Sequence, residues 1–238
     1  MCARRDAFGA RPNLMEGVTS DEARSTPQRF RWLIAYQVDG DIRFISHHDM
    51  LRFFRRALVR ADIPVRWSQG FNPHPRISIP VPRPVGVASL AEFLVFETET
   101  ELVPVETLPQ LQPHLPPTIR LTGMEKLAPG ASLVPMLVRY ELDARDADME
   151  PLRTRIAEIL SATALPVERR DGDARHVKTV DVRPYVDVIN LEGACVNFTL
   201  HCTERGTAKP SEIAALLGFD PNSINHRIRR TEIQWRCT

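Results

Sequence analysis

DIRFISHHDMLRFFRRALVRADIPVRWSQGFNPHPRIS, residues 41–78, is the stretch of this sequence that decides the fold. A strand-like run ends at Ser46, a segment with helical spacing follows, and a proline-rich loop then lies between two further strand-like runs. We therefore expect a strand, a helix and a second strand that the loop interrupts. The stretch also holds the histidines, arginines and aromatic residues that are candidates for a functional site.

A helix is predicted directly after Ser46. Ser46 and Asp49 have the spacing of a capping box, in which side chains satisfy free amide groups of the first helical turn. Apolar residues recur at helical spacing from Met50 to Ala61, and Pro64 ends the segment. Arginines recur with the same period on another face, at Arg52, Arg55, Arg56 and Arg60. One face should pack on a sheet, while the basic face is either a binding surface or simply solvated.

The residues before the helix predict a buried strand. FRWLIAYQV, residues 30–38, is mostly apolar, and DGD at 39–41 is a turn signal. The following IRFIS, residues 42–46, predicts either the second arm of a hairpin or the same strand continued after a bulge.

The order of the elements predicts an α+β fold. A strand at 93–96 and a short helix at 105–111 complete a β-α-β-β-α order, the split βαβ arrangement of ferredoxin-like domains. The order recurs in predicted elements at 138–142, 148–161, 177–188, 194–201, 210–217 and 232–235. We therefore predict two tandem ferredoxin-like halves with antiparallel sheets, residues 29–128 and 136–238. Residues 1–28 have low hydrophobicity and no periodicity, which predicts a disordered leader.

The composition limits the classes of function. The chain has 238 residues, 43% of them hydrophobic, and a formal net charge of +1, so an anionic partner would have to bind a local basic patch. The four cysteines show no CxxC spacing, which favours reduced thiols over a zinc site. No window approaches the ~18 apolar residues of a membrane span, and the N-terminal residues have no signal-peptide pattern. We therefore predict a cytoplasmic protein.

The loop at residues 68–78 is the strongest site candidate. Gly70 permits a positive φ, and Pro73 and Pro75 stiffen the frame that presents His74. An aromatic residue and arginines beside it are the combination that RNA-binding surfaces use. The candidate binding residues are Arg43, Arg52, Arg55, Arg56, Gln69, Phe71, Asn72, His74 and Arg76. The structural alternative is that Phe71 packs in the core and that Asn72 and His74 only hold the turn.

Two further groups of residues extend these hypotheses. A second basic cluster at residues 226–230 could line a groove with the first, and Arg66 lies close in sequence to the loop. His47, Asp49 and His74 have the side chains of a metal site, although Asp49 already has a role in the helix cap. Without a metal, His47 and His74 could act as general acid and base near neutral pH.

Several motifs carry a family resemblance. They are GDIRFISH at 40–47 with Asp49, RRAL at 55–58, SQGFNPHPRIS at 68–78, Gly86, Glu92, DVRPY at 181–185, KPSE at 209–212 and RTE at 230–232. Together they resemble the radical-SAM-linked family of uncharacterised bacterial proteins. The resemblance implies a stand-alone or fused companion of a B12-type radical SAM protein, encoded among ribosome-related and RNA-processing genes. His48 departs from the family pattern, in which an apolar residue is expected.

The chain lacks the motifs of radical or nucleotide-dependent catalysis. It has no CxxxCxxC run for an iron–sulfur cluster and neither GxxxxGK nor GxGxxG for phosphates, so we predict no cofactor of its own. The first hypothesis is a non-catalytic module that binds RNA or presents a substrate to a radical SAM protein, in the modification of tRNA, rRNA or a ribosomal protein. The second is an RNA nuclease or metal-dependent hydrolase using His47 and His74. The third is a protein–protein adapter without RNA affinity.

Overall fold

The computed structural model describes residues 29–170 and 177–237, so the predicted leader at 1–28 lies outside the described residues. The elements of the described part are β1 Phe30–Val38, α1 His47–Arg60, β2 Ile77–Ser78, β3 Ala88–Thr98, α2 Pro104–Leu111, β4 Ile119–Leu127, β5 Leu133–Asp143, α3 Met149–Ser161, β6 Pro166–Arg170, β7 Val177–Asp181, β8 Val186–Glu192, β9 Cys195–His201, α4 Pro210–Leu216 and β10 Ile228–Cys237. This confirms the predicted α+β class.

One sheet of eight strands runs through the described chain in the order β4-β1-β3-β10-β5-β9-β8, with β2 also paired to β3. Its pairs are antiparallel except for β3 with β10, where Arg229 and Arg230 pair in parallel with Ala88 and Ser89. β6 and β7 form a separate hairpin. A separate antiparallel sheet in each half was expected. The strands instead form a continuous sheet, because β10 pairs with β5 along one edge and with the start of β3 along the other.

The predicted strand at residues 42–46 is wrong. Residues Gly40–Phe44 form a 3₁₀ turn, in which the Asp39 carboxylate accepts a hydrogen bond from the Gly40 amide at 2.8 Å. Gly40 has a φ of +57°, which glycine adopts without strain. β1 pairs with β3 on one side and β4 on the other, so no edge is free for a hairpin arm.

The predicted start of α1 is confirmed. Ser46 Oγ accepts a hydrogen bond from the Asp49 amide at 3.1 Å and donates one to Asp49 Oδ2 at 2.7 Å. The apolar face of α1 is buried against the sheet through Met50, Phe54, Ala57 and Leu58. The ring of Phe54 packs edge-on against Tyr36 of β1, with 4.8 Å between the ring centroids.

Two large clusters of buried apolar residues lie along the sheet. One joins α1 and α2 to β1 and β3, and the other joins α3 and α4 to β5, β8, β9 and β10. No helix in the described part of the chain is long and apolar enough to cross a membrane. Cys195 and Cys202 are free thiols, and burial raises the pKa of both.

The strand predicted at 177–188 is interrupted. Residues Arg183–Tyr185 form a 3₁₀ turn between β7 and β8, and Pro184 has no amide hydrogen to donate to a sheet. Within this turn, the Arg183 guanidinium donates to the carbonyl oxygens of Leu160, Ala162 and Val186, at 2.9–3.0 Å. Two of these carbonyls are at the end of α3, so Arg183 caps that helix.

Candidate nucleic-acid interface

The loop between Trp67 and Pro75 is closed by hydrogen bonds between Ser68 and His74. The Ser68 amide donates to the His74 carbonyl at 2.8 Å, and the His74 amide donates to Ser68 Oγ at 3.0 Å. His74 Nδ1 lies 3.0 Å from Ser68 Oγ and 3.3 Å from the Asn72 carbonyl. The His74 ring is therefore held through Nδ1 and oriented by its own loop.

Phe71 projects from the tip of this loop into solvent. Its relative exposure is 106%, so the alternative in which Phe71 packs in the core is wrong. The flanking Gln69 and Asn72 are also exposed, and Gly70 has a φ of +133° with no atom within 4 Å of where a Cβ would lie. Trp67, at the base of the loop, is 48% exposed. The loop thus presents aromatic surface rather than burying it.

Several of the predicted binding residues meet in a groove of about 390 Å³ beside the loop. Arg55 of α1 and Arg76 at the start of β2 line it together with Ser68 and His74. A third arginine, Arg31 of β1, also lines the groove and was not among the predicted site residues; its Nη1 donates to the Ala131 carbonyl. Because Arg31 lies in an apolar run that predicts a buried strand, the sequence pattern gave no signal for its role. Helix, strand and loop together form a basic groove, called here the Arg55–Arg76 groove.

The acidic residue of this groove does not cancel the positive charge of the groove arginines. Glu97 Oε2 lies 3.3 Å from Arg66 Nη1, and the Arg66 side chain is buried. Arg66 therefore neutralises Glu97. Its position close to the loop in the sequence suggested a member of the exposed basic surface, but Arg66 is not part of that surface. Arg55 and Arg76 have no acidic partner within salt-bridge distance among residues 29–170 and 177–237, so the groove has a positive excess.

The arginines of α1 have different surroundings. Arg55 Nε is buried and finds no hydrogen-bond acceptor in the described part of the chain. Arg52 lies 3.4 Å from Asp49 on the exposed face of the helix, and Arg60 donates to the His114 carbonyl at 3.0 Å. Arg56 is exposed and does not line the groove. Of the basic face predicted for this helix, Arg55 is the member that belongs to the groove.

The second basic cluster lies elsewhere. Arg43 lines another groove, of about 540 Å³, with Arg227 and Arg229, whereas Arg55 and Arg76 are not part of it. That groove also contains Glu141 and Asp143, and Arg227 is 3.1 Å from Asp146. The expected single groove lined by both basic clusters is thus two grooves. The second also contains Arg145, which pairs with Asp143 at 2.7 Å, so the charges of this groove are partly balanced.

His47 and His74 line different cavities. His47 is at the first turn of α1 beside Tyr36, Arg83 and Glu92, in a cavity of about 10 Å³. Partial burial, and then the charge of His48, lowers the pKa of His47. Within the described residues no three His, Cys, Asp or Glu side chains are arranged to hold a metal ion, so His47, Asp49 and His74 do not form such a group.

A model of a bacterial protein family matches residues 31–210 of the chain. Its description is "Uncharacterized protein conserved in bacteria (DUF2344)". No curated protein matches the chain. Because the match covers most of the sequence, including the whole Arg55–Arg76 groove, the chain belongs to this family.

Proposed function

We propose that this member of the DUF2344 family is a non-catalytic RNA-binding module that presents its substrate to a radical SAM protein. The observation that carries the proposal is the Arg55–Arg76 groove, a positive groove beside an exposed aromatic loop. RNA-binding surfaces combine these two features, because the phosphates need cations and the unpaired bases need aromatic faces.

Attraction of RNA is expected from the groove rather than from the whole chain. A formal net charge of +1 gives little long-range attraction to a polyanion, so affinity has to come from a local excess of arginines. Arg31, Arg55 and Arg76 supply that excess, while Glu97 is already paired with Arg66. Arginine also suits phosphate better than lysine does, because its planar fork can donate two hydrogen bonds to one phosphate.

The radical SAM partner is supported by the family resemblance in the quoted motifs. Such a protein, of the B12-binding type, would supply the reaction, and tRNA, rRNA or a ribosomal protein would be the object of the modification. We propose that the two proteins meet in the cytoplasm. The alternative of an RNA hydrolase using His47 and His74 is less well supported, because the two imidazoles line separate cavities.

We also infer that the chain consists of two ferredoxin-like halves, residues 29–128 and 136–238. Support comes from the strand order, which is β4-β1-β3-β2 among the first four strands and β10-β5-β9-β8 among the later ones. In both series the fourth strand lies beside the first, the first beside the third and the third beside the second. That is the strand order expected of a split βαβ domain.

The proposal is tested with Arg55→Ala/Arg76→Ala against a control pair that removes the same charge. Arg120→Ala/Arg153→Ala is such a control, because both residues are exposed and lie outside the groove. RNA crosslinked to the parent in cells should be lost from the groove variant and retained by the control. With purified RNA, the slope of log affinity against log salt should fall by roughly 1.4 in the groove variant, about 0.7 per lost single-strand phosphate contact.

Three outcomes would redirect the proposal. Equal loss of RNA in both pairs would mean that only net charge matters. Absence of RNA enrichment with the parent, together with capture of a protein partner, would favour the adapter. Cleavage of RNA that His74→Ala abolishes would favour the hydrolase.

A further inference from the structure

We propose that the Arg55–Arg76 groove takes a single-stranded segment of nucleic acid, with one unpaired base stacked on the ring of Phe71. This inference rests on the proposed function and names the form of RNA that the groove accepts. It follows from the exposure of the ring, the rigidity of its loop and the position of the arginines beside it.

The exposed ring of Phe71 is available to a partner with a flat apolar surface. A phenylalanine ring that is 106% exposed contributes no packing to the fold, and its contact with water is unfavourable. The ring is at the loop tip, next to a glycine with open space around it, so a planar group can approach. Every base has such a planar face, and stacking on an aromatic side chain is worth about 1–3 kcal/mol per base.

The loop is built to hold the ring without a partner. Pro73 and Pro75 restrict the backbone, and Ser68 and His74 close the loop with two backbone-involving hydrogen bonds of 2.8 and 3.0 Å. Trp67 and Pro75 form a bridge at its base, so the loop is anchored on both sides. The conformational entropy of this loop is therefore lost on folding, and a base that stacks on Phe71 does not have to order the loop again.

A duplex cannot use this surface well. Its bases are already stacked on one another, and the deep major groove of A-form RNA does not admit protein side chains. A single strand can place one base on Phe71 while the adjoining phosphates lie toward Arg55 and Arg76, which share the groove that the same loop borders. The aromatic loop thus suits a base, and the basic groove suits the phosphates, of one unpaired segment.

The test compares fluorescent single-stranded RNA of twelve nucleotides with a duplex of the same sequence. Phe71→Ala should weaken binding of the single strand by roughly 5- to 150-fold, the range expected for one lost stacked base. Phe71→Trp should retain the affinity, and Phe71→Leu should not, since leucine is apolar but has no flat face. The salt slope should be unchanged in Phe71→Ala, because no phosphate contact is removed. Val105→Ala is the control, an exposed apolar residue on α2 outside the groove.

The outcomes separate this inference from the proposed function. Equal affinity of the parent for single strand and duplex, or an unchanged affinity of Phe71→Ala, would overturn the single-strand inference and leave RNA binding intact. Equal binding by Phe71→Leu and the parent would overturn stacking in favour of a general apolar contact. A parent protein that binds neither RNA would overturn both proposals.

Discussion

Arg230 Nη1 donates a hydrogen bond to Glu92 Oε1 at 2.9 Å, and the two side chains are only 1% and 2% exposed. Glu92 belongs to β3 and Arg230 to β10, the two strands whose parallel pairing connects the parts of the sheet. The same guanidinium donates to the carbonyl oxygens of Val81 and Pro82, at 3.2 and 3.0 Å. One buried arginine therefore fixes the β3–β10 junction and the chain that leads into β3.

Breaking this pair from one side should destabilise the protein strongly. Glu92→Leu or Arg230→Met leaves the other charge buried without its partner, and each should lower the free energy of unfolding by about 3–5 kcal/mol. Glu92→Leu/Arg230→Met should cost less than the sum of the single changes, because neither charge of the pair is then left buried without the other. Urea unfolding of the four proteins checks this, and strictly additive effects would show that the pair is not coupled.

Phe71 and Phe54 should respond in opposite ways to truncation. Phe54 is fully buried between α1 and the sheet, so Phe54→Ala should lower the free energy of unfolding by about 3–5 kcal/mol. Phe71→Ala removes a ring that contacts solvent, and its effect should stay within about 0.5 kcal/mol. Thermal unfolding of both variants separates them. A large loss for Phe71→Ala would mean that the loop packs on something in solution.

The cap of α1 should contribute measurably to stability. Ser46→Ala removes the oxygen that accepts from the Asp49 amide, and the expected loss is about 1 kcal/mol. Ser132→Ala, at an exposed position outside the helices, is a control with the same change of side chain. A loss of the same size in both variants would mean that the cap does not stabilise the helix.

His47 should make stability depend on pH in the mildly acidic range. Burial, and then His48, lowers its pKa below the ordinary value of 6.5, so the unfolded chain binds this proton more readily than the folded one. The free energy of unfolding should therefore fall as pH is lowered from about 7 through 6.5 toward the folded pKa. His47→Gln should flatten the curve in that window. The measurement is urea unfolding of parent and variant from pH 7.5 to 5, and parallel curves would contradict the assignment to His47.

Local features of the chain were predictable because neighbouring residues decide them. The Ser46 cap, the buried stripe of α1 and the position of the proline-containing loop all follow from spacing and from side-chain chemistry within residues 46–78, whereas the exposure of Phe71 was one of two alternatives. The run at 42–46 was predicted wrongly for a reason that lies outside it. Whether a short apolar run pairs as a strand depends on a free sheet edge, and β1 has none.

The sequence by itself determined the α+β class, the capped basic helix and the loop that bears Phe71. Only the tertiary structure decided which arginines share the groove, since Arg66 is buried on Glu97 while Arg31 joins Arg55 and Arg76. It also decided the pairing of Glu92 with Arg230, which are 138 positions apart. Spacing along a strand or helix specifies which residues share a face of that element. Which elements then meet depends on strand pairing and core packing between distant parts of the chain, and no local pattern encodes it.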